Sequence, residues 1–141
     1  MATPYAKIYS RFLQKIKDFN LAEFDDHFFE ETMQSWLDSS IIRVRKCKHD
    51  LSLRDNDAQE FAEDLSDLEM ELIALGMVDS WVTPMINSTE LTLQFIGGKE
   101  EKYFSQSQQL AELRNLKKEN ALEMNRLHNY YTYTNSSYFN T

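Results

Sequence analysis

Glycine, proline and cysteine are scarce in this chain: three, two and one of them occur among 141 residues. All-β folds with many tight turns and glycine-rich phosphate loops need more of the first two, so the composition favours helices. The single cysteine, Cys47, excludes an internal disulfide and a cysteine-rich metal site. Because it lies within a helical pattern, we interpret Cys47 as a small buried apolar residue rather than a nucleophile.

Long apolar runs are also missing, and nothing approaches the roughly 18 apolar residues that suggest a membrane span. Residues 1–19 alternate basic and aromatic side chains, which is not the pattern of a signal peptide, so we expect a cytosol-like compartment. Hydrophobic residues nevertheless make up 42% of the chain and aromatic residues 13%. That content is sufficient for one folded domain with its own core.

Basic residues are fewer than acidic ones, so the formal net charge is −8 and the isoelectric point is about 4.8. Proteins that bind nucleic acid gain affinity from clustered Lys and Arg, so stable nucleic-acid binding is not expected. The one basic run consists of Arg43, Arg45, Lys46 and Lys48. We interpret it as a solvated or partner-facing helix end.

Two amphipathic helices are predicted in the first third of the chain. Thr3 would cap the first, with Pro4 at its first helical position, and apolar residues at three- and four-residue spacing continue it to about Asn20. The second should begin near Asp25 or Asp26 and continue to Cys47. Its acids come early and its bases late, which complements the helix dipole.

Residues 49–64 lose this periodicity and predict a long acidic loop, within which one short helical turn is proposed around residues 58–62. Loops of this length in compact domains are typically functional or disordered. Its acidic residues are Asp50, Asp55, Asp57, Glu60, Glu63 and Asp64.

A third helix is predicted to start at a capping box formed by Ser66 and Glu69. It is apolar on two faces and must be buried on both, so we expect part of it to pack against another subunit. Pro84 should kink or end this helix. The face assigned to inter-subunit packing comprises Met70, Ile73, Met77, Trp81 and Met85.

Residues 87–105 predict a second, irregular arm with a flexible turn at Gly97 and Gly98, and a last helix should follow from Gln106 to about Tyr130. Residues 130–141 contain no charged side chain, and we expect them to form an extended tail that docks on another chain rather than on its own domain. Its aromatic residues are Tyr130, Tyr131, Tyr133, Tyr138 and Phe139. The predicted fold is therefore an all-α bundle of about four helices (1–129) with a docking tail (130–141).

The sequence contains no catalytic or metal-binding motif with the required residue spacing. His27, His49 and His128 are far apart and lack zinc-binding spacing. The run Asp55-Asn56-Asp57 resembles the start of a calcium loop but lacks the required glycine and terminal glutamate. No serine lies in a nucleophile elbow and no phosphate loop is present. We therefore predict no active site, no metal and no cofactor.

Several segments resemble a known family: TPYAKIYSRF (3–12), RVRKCKHDL (43–51), WVTPMINSTEL (81–91) and FSQS (104–107) before a Leu-rich helix. In collinear order they are similar to the small helical head–tail connector proteins, also called neck or adaptor proteins, of long-tailed bacteriophages and prophages. The resemblance spans most of the chain.

This resemblance implies a ring beneath the portal, matching its twelvefold symmetry and joining it to the next neck or tail terminator protein in the virion. The C-terminal tail would reach the portal, and the acidic loop would face the lumen or the next ring. DNA would be passing cargo, and an anionic lumen would let it slide. The alternative is a small acidic helical interaction module, such as a regulator or anti-repressor, with no virion role.

Overall fold

The computed structural model describes residues 2–16, 26–44, 51–96 and 101–135, of which 26–30, 95–96, 101–103 and 132–135 are described by their backbone alone. Four helices dominate this part of the chain and confirm the predicted all-α bundle: α1 (Tyr5–Lys15), α2 (Asp26–Arg43), α3 (Asp67–Ile96) and α4 (Glu101–Asn135). Three two-residue strands form a small sheet: β1 (Thr3–Pro4), β2 (Arg54–Asp55) and β3 (Glu60–Phe61).

Helix α3 is the central element, since it contacts α1, α2 and α4. It packs tightly against α2 at Gly76, where an added Cβ would come within 2.1 Å of Ser40 Oγ. The apolar stripes of all four helices meet in one continuous core. Fully buried members of this core include Tyr5, Ile8, Phe12, Met33, Leu37, Leu72, Ile73, Met77 and Leu113.

The start of α1 differs from the prediction by one residue. Pro4 occupies the cap position and the helix begins at Tyr5. Thr3 lies in β1, where its hydroxyl donates to the carbonyl of Glu63 (2.8 Å) and accepts from the N–H of Leu65 (2.8 Å). The Thr3 hydroxyl therefore bonds to Glu63 and Leu65, which are distant in sequence, and does not cap the helix.

The acidic segment is more ordered than predicted. Strand β3 lies between β1 and β2 and is antiparallel to both, with Phe61 opposite Thr3 on one side and Arg54 on the other. The helical turn proposed for residues 58–62 is wrong, because Phe61 lies in a strand that buries its ring in the core (1% exposed). Gln59 closes the hairpin with a positive φ of 57°.

The capping box at the start of α3 is confirmed. Glu69 Oε1 accepts from the N–H of Ser66 (3.0 Å), and Ser66 Oγ accepts from the N–H of Glu69 (3.2 Å). Pro84 does not end the helix, which continues to Ile96. Its ring removes one backbone donor, while the flanking residues Val82 and Ile86 remain buried.

The predicted irregular arm over residues 87–105 is wrong. Residues 87–96 belong to α3 and residues 101–105 to α4, so four residues (97–100), outside the described part, separate the two helices. The alternation of Leu91, Leu93 and Phe95 suggested an extended chain, but a short apolar run does not distinguish strand from helix. Here the antiparallel packing of α3 on α4 selects the helix.

Helix α4 is also longer than predicted at its C-terminal end. It continues to Asn135, so residues 130–135 are helical rather than extended, and the boundary placed at residue 130 falls inside a helix. Helix α2 begins at Asp26 as predicted but ends at Arg43. Cys47 and the rest of the basic run, apart from Arg43, lie outside the described residues, as do residues 136–141.

Candidate interaction surfaces

The face of α3 assigned to inter-subunit packing lies largely inside the chain itself. Ile73 and Met77 are 0% exposed, and Met70 and Trp81 are buried as well; Met85 is half-buried at the edge of the core. The expectation that a second subunit would cover these residues is corrected, because α1, α2 and α4 together surround both apolar faces of α3.

The acidic hairpin, residues 51–65, is held against α1 and α2 by three side-chain contacts. Arg54 pairs with Asp38 of α2 (Nη1–Oδ1, 2.6 Å). Gln59 Nε2 donates to Gln34 Oε1 of α2 (2.8 Å), and the hydroxyl of Tyr5 donates to Asn56 Oδ1 (2.7 Å). The ring of Tyr5 also meets that of Phe61 edge-on, with centroids 5.0 Å apart. The hairpin is thus a fixed part of the domain.

Two groups at these contacts, the Tyr5 hydroxyl and the Arg54 guanidinium, have raised pKa values. Burial raises the pKa of the Tyr5 hydroxyl, an effect that the nearby Arg54 guanidinium partly offsets. Burial opposes the charge on Arg54, but its hydrogen bond to the Asp38 carboxylate and the attraction between the two charges outweigh that effect and raise the Arg54 pKa. Both groups therefore keep their protons more firmly than they do in water.

The predicted acidic residues lie on the outer side of this hairpin. Asp55, Asp57 and Asp64 are exposed, and Glu60 and Glu63 are half-buried; Asp50 lies outside the described residues. The Asp55 carboxylate accepts hydrogen bonds from the N–H groups of Asp57 (2.9 Å) and Ala58 (3.2 Å), which shapes the turn. Asp57 and Asp64 are therefore accessible to solvent.

The predicted docking tail begins within the domain. Tyr131 is only 4% exposed, and its hydroxyl donates to Oε2 of Glu69, itself 1% exposed, at 3.4 Å. Tyr131 therefore packs on its own chain, because α4 returns its C-terminal end to the start of α3. Tyr130 is exposed at 59%. The side chain of Tyr133, and all of Tyr138 and Phe139, lie outside the described residues.

Several large apolar side chains remain exposed on the helices and the hairpin. Leu91 near the end of α3 is 56% exposed and Phe104 near the start of α4 is 66% exposed. Because residues 87–105 were assigned to an irregular arm, the exposure of Leu91 and Phe104 was not predicted. A helical periodicity over these residues would have placed both outside the buried apolar stripe. The others are Ile42, Leu53, Leu122 and Tyr130.

Within the described ranges, no group of three His, Cys, Asp or Glu side chains could hold a metal ion. The helices in the same ranges are not apolar over the length that crossing a membrane requires. No protein-family model matches the chain, and no curated protein or solved structure is significantly similar to it. What the protein does is therefore inferred from its own residues and surfaces.

Proposed function

We propose that this protein is a structural assembly protein of the virion: a head–tail connector that adds a ring to the portal vertex and continues the DNA channel towards the tail. The observation that carries the proposal is a helical bundle whose core is complete, yet whose helices expose large apolar side chains such as Leu91, Phe104 and Leu122. The collinear resemblance of residues 3–12, 43–51 and 81–91 to connector proteins supplies the particular role.

The partners follow from this role. Twelve copies would surround the axis of the portal, with the portal protein on one side and a tail-side neck or tail terminator protein on the other. The protein would be assembled in the host cytoplasm and remain in the neck of the virion. It acts by contact alone, with no catalytic step, cofactor or membrane.

The charge distribution suits a channel through which DNA passes. The chain carries a net charge of −8, and Asp57 and Asp64 of the acidic hairpin are both exposed. A negative wall repels phosphates and prevents DNA from adhering. In the ring this hairpin would face the lumen or the next ring.

The same hairpin supports the second candidate, a small acidic interaction module that binds a basic partner and has no virion role. Asp55, Asp57 and Asp64 are exposed on the acidic hairpin, which the Arg54–Asp38 ion pair holds against α2. Such a regulator would bind its partner through these carboxylates with a strong dependence on salt. A connector would bind the portal whether or not these three carboxylates were present.

Electron microscopy of the purified protein mixed with the portal protein of the same genome tests the proposal. A ring added at the narrow end of the portal is the expected result. If the protein is folded and the portal intact but no ring forms, the connector role is refuted and the interaction module remains.

The predicted role of the tail needs a truncation that spares the core. Removing residues 136–141 leaves Tyr131 and its contact with Glu69 in place, whereas removing residues 130–141 would open the core. We expect the shorter truncation to unfold like the full chain but to bind the portal more weakly. Unchanged portal binding would show that the tail is not a docking element.

A further inference from the structure

Beyond the described ends of α1 and α2 lies a pair of helices, the distal hairpin, formed by residues 80–96 of α3 and 101–111 of α4. Helix α1 forms ion pairs with α3 at Glu71, and α2 forms one at Asp79. The described parts of α1 and α2 end near these points. The 17 residues of α3 beyond Asp79 extend about 25 Å further, at 1.5 Å per residue.

The two helices of the distal hairpin are packed firmly on each other. Ile86 and Thr89 of α3 are buried, as is Leu110 of α4. Arg114, just beyond the hairpin, pairs with Glu90 (2.5 Å), and Lys117 donates to the hydroxyl of Thr83 (2.9 Å). The two helices therefore bury the side chains between them, while their remaining described faces are exposed.

The flanks of the hairpin are almost free of charge, whereas Glu101 and Lys102 lie at the start of α4. Residues 80–94 and 104–111 contain a single charged side chain, Glu90, which Arg114 neutralises, in a chain of which 27% is charged. Further along α4, residues 112–126 contain seven charged side chains. The exposed residues of the distal hairpin are Pro84, Asn87, Ser88, Leu91, Thr92, Gln94, Phe104, Ser105, Gln108 and Ala111.

A solvent-facing helix in an acidic protein normally carries mixed charges that keep it soluble. The centres of protein interfaces are instead depleted of charge and contain exposed apolar anchors, as Leu91 and Phe104 are here. The distal hairpin therefore has the composition of a contact surface. The absence of charge, apart from Glu90, refers to the two flanks 80–94 and 104–111.

The partner that this surface fits is a second copy of the same chain. Two copies with a net charge of −8 each repel one another, and a neutral face is where they can approach closely. Hydroxyl and amide side chains both donate and accept hydrogen bonds, so Thr92 and Gln94 on the α3 flank can pair with Gln108 on the α4 flank of another copy.

We propose that neighbouring copies associate side by side through the distal hairpin, with the α3 flank of one hairpin against the α4 flank of the next. Leu91 of one copy then lies near Phe104 of its neighbour. Head-to-tail contacts of this kind repeat around a ring when the rotation closes. The inference rests on the proposed connector function, of which it identifies the inter-subunit surface.

The size of the hairpin limits the strength of one such contact. A helix face about 25 Å long and about 10 Å wide offers roughly 250 Å² from each copy, or roughly 500 Å² in total. Stable pairs bury about 1,200 Å² or more. A single contact is therefore weak and reversible, and closure of the ring is what stabilises it.

Disulfide trapping detects a weak contact of this kind. In a Cys47→Ser background, Leu91→Cys protein is mixed with Phe104→Cys protein under mild oxidation, and the cross-linked peptides are quantified by mass spectrometry. The 91–104 disulfide should exceed the 91–91 and 104–104 disulfides several-fold. Ser35→Cys, at an exposed site on α2, measures the yield from random encounters, and a 91–104 yield no greater than this would overturn the inference.

Charge insertion provides an independent measurement. Sedimentation velocity of the intact chain should show a sedimentation coefficient that rises with concentration, and Gln108→Glu should abolish that rise. Ser35→Glu adds the same charge away from the hairpin and should preserve it. A wild-type chain that stays monomeric up to its solubility limit, or a Gln108→Glu variant that associates normally, would contradict the proposal.

The outcomes also separate this inference from the proposed function. Rings on the portal that form without the 91–104 disulfide would refute the hairpin contact and leave the connector role intact. The 91–104 disulfide without any binding to the portal would support the contact and refute the connector role. Hairpin variants that lose portal binding, while the parent shows no cross-link between copies, would assign the hairpin to the portal instead and overturn the inference.

Discussion

Replacing Gly76 by alanine probes a close approach between two helices of the bundle. The new Cβ would lie 2.1 Å from Ser40 Oγ, 3.0 Å from Ser40 Cβ and 3.3 Å from Ser40 Cα. Rotating the hydroxyl away would break its hydrogen bond to the carbonyl of Ile73 (2.5 Å) inside the core, where Ser40 is 0% exposed. The two helices would still have to separate by a few tenths of an ångström, because Cα belongs to the backbone.

The expected change in the free energy of unfolding combines two destabilising effects with one stabilising effect. A buried hydroxyl without its partner costs about 1–3 kcal/mol, and overpacking of a tight core costs about 1–3 kcal/mol. Alanine is favoured over glycine in a helix by about 1 kcal/mol, which offsets part of the loss. We expect Gly76→Ala to lower the free energy of unfolding by about 3 kcal/mol and the melting temperature by roughly 10 °C.

A second substitution on the facing helix should restore stability. Ser40→Gly removes both the Oγ and the Cβ that the new methyl group would meet. The double variant should therefore unfold within about 1 kcal/mol of the parent, which makes the two changes strongly non-additive. Ser35→Gly, at an exposed position of α2, measures the helix-propensity cost of the same replacement without the contact.

Guanidinium unfolding followed by circular dichroism and tryptophan fluorescence provides the assay. Two results would refute the reasoning. A Gly76→Ala variant as stable as the parent would mean that helix propensity prevails and that α2 and α3 do not meet closely at Ser40. Additive effects of the two substitutions would mean that the loss at position 76 arises elsewhere.

Three further predictions concern the acidic hairpin and the end of α4. Gln59→Gly should be about 1 kcal/mol more stable than Gln59→Ala, because both lose the side chain but only alanine keeps a Cβ at a φ of 57°; equal denaturation midpoints would contradict the left-handed conformation. Because burial raises the Tyr5 pKa, the folded state holds the phenol proton more tightly. The resulting stability is fully present below the ordinary pKa of about 10 and is lost as the pH rises through the higher folded-state pKa. Tyr5→Phe should flatten this alkaline loss in unfolding curves from roughly pH 8 to 11, and an unchanged slope would exclude Tyr5 as its source. Tyr131→Phe should cost about 1 kcal/mol, because the buried Glu69 carboxylate loses a donor, whereas Tyr130→Phe at a position that is 59% exposed should cost less, because water can replace contacts of its hydroxyl; equal effects of the two would show that the buried contact adds no stability beyond that of an exposed one.

Elements with a local physical cause were predictable from the sequence. The apolar stripe of α1, the start of α2 at Asp26 and the capping box of Ser66 and Glu69 all agree with the structure. Each depends on residues within a few positions of one another. The all-α class followed from the same patterns together with the scarcity of glycine and proline.

The candidate surface was only partly visible in the sequence. The charge-poor flanks that contain Leu91 (80–94) and Phe104 (104–111) are visible in the sequence, but assigning residues 87–105 to an irregular arm gave them no helical geometry. Conversely, Met77 and Trp81 were expected at a subunit contact although their own chain buries them. Whether an apolar residue faces a neighbouring helix or a neighbouring molecule depends on how the helices are arranged, which periodicity does not specify.

By itself the sequence determined that the chain is helical, acidic and apolar enough to form a core, because composition and short-range periodicity decide these properties. Only the tertiary structure decided the rest. Thr3 pairs with Phe61 in strands too short to form alone. Helix α3 continues through Pro84, and Tyr131 returns to Glu69 across 62 positions of sequence. Each of these depends on contacts between distant segments, whose energies no local pattern contains.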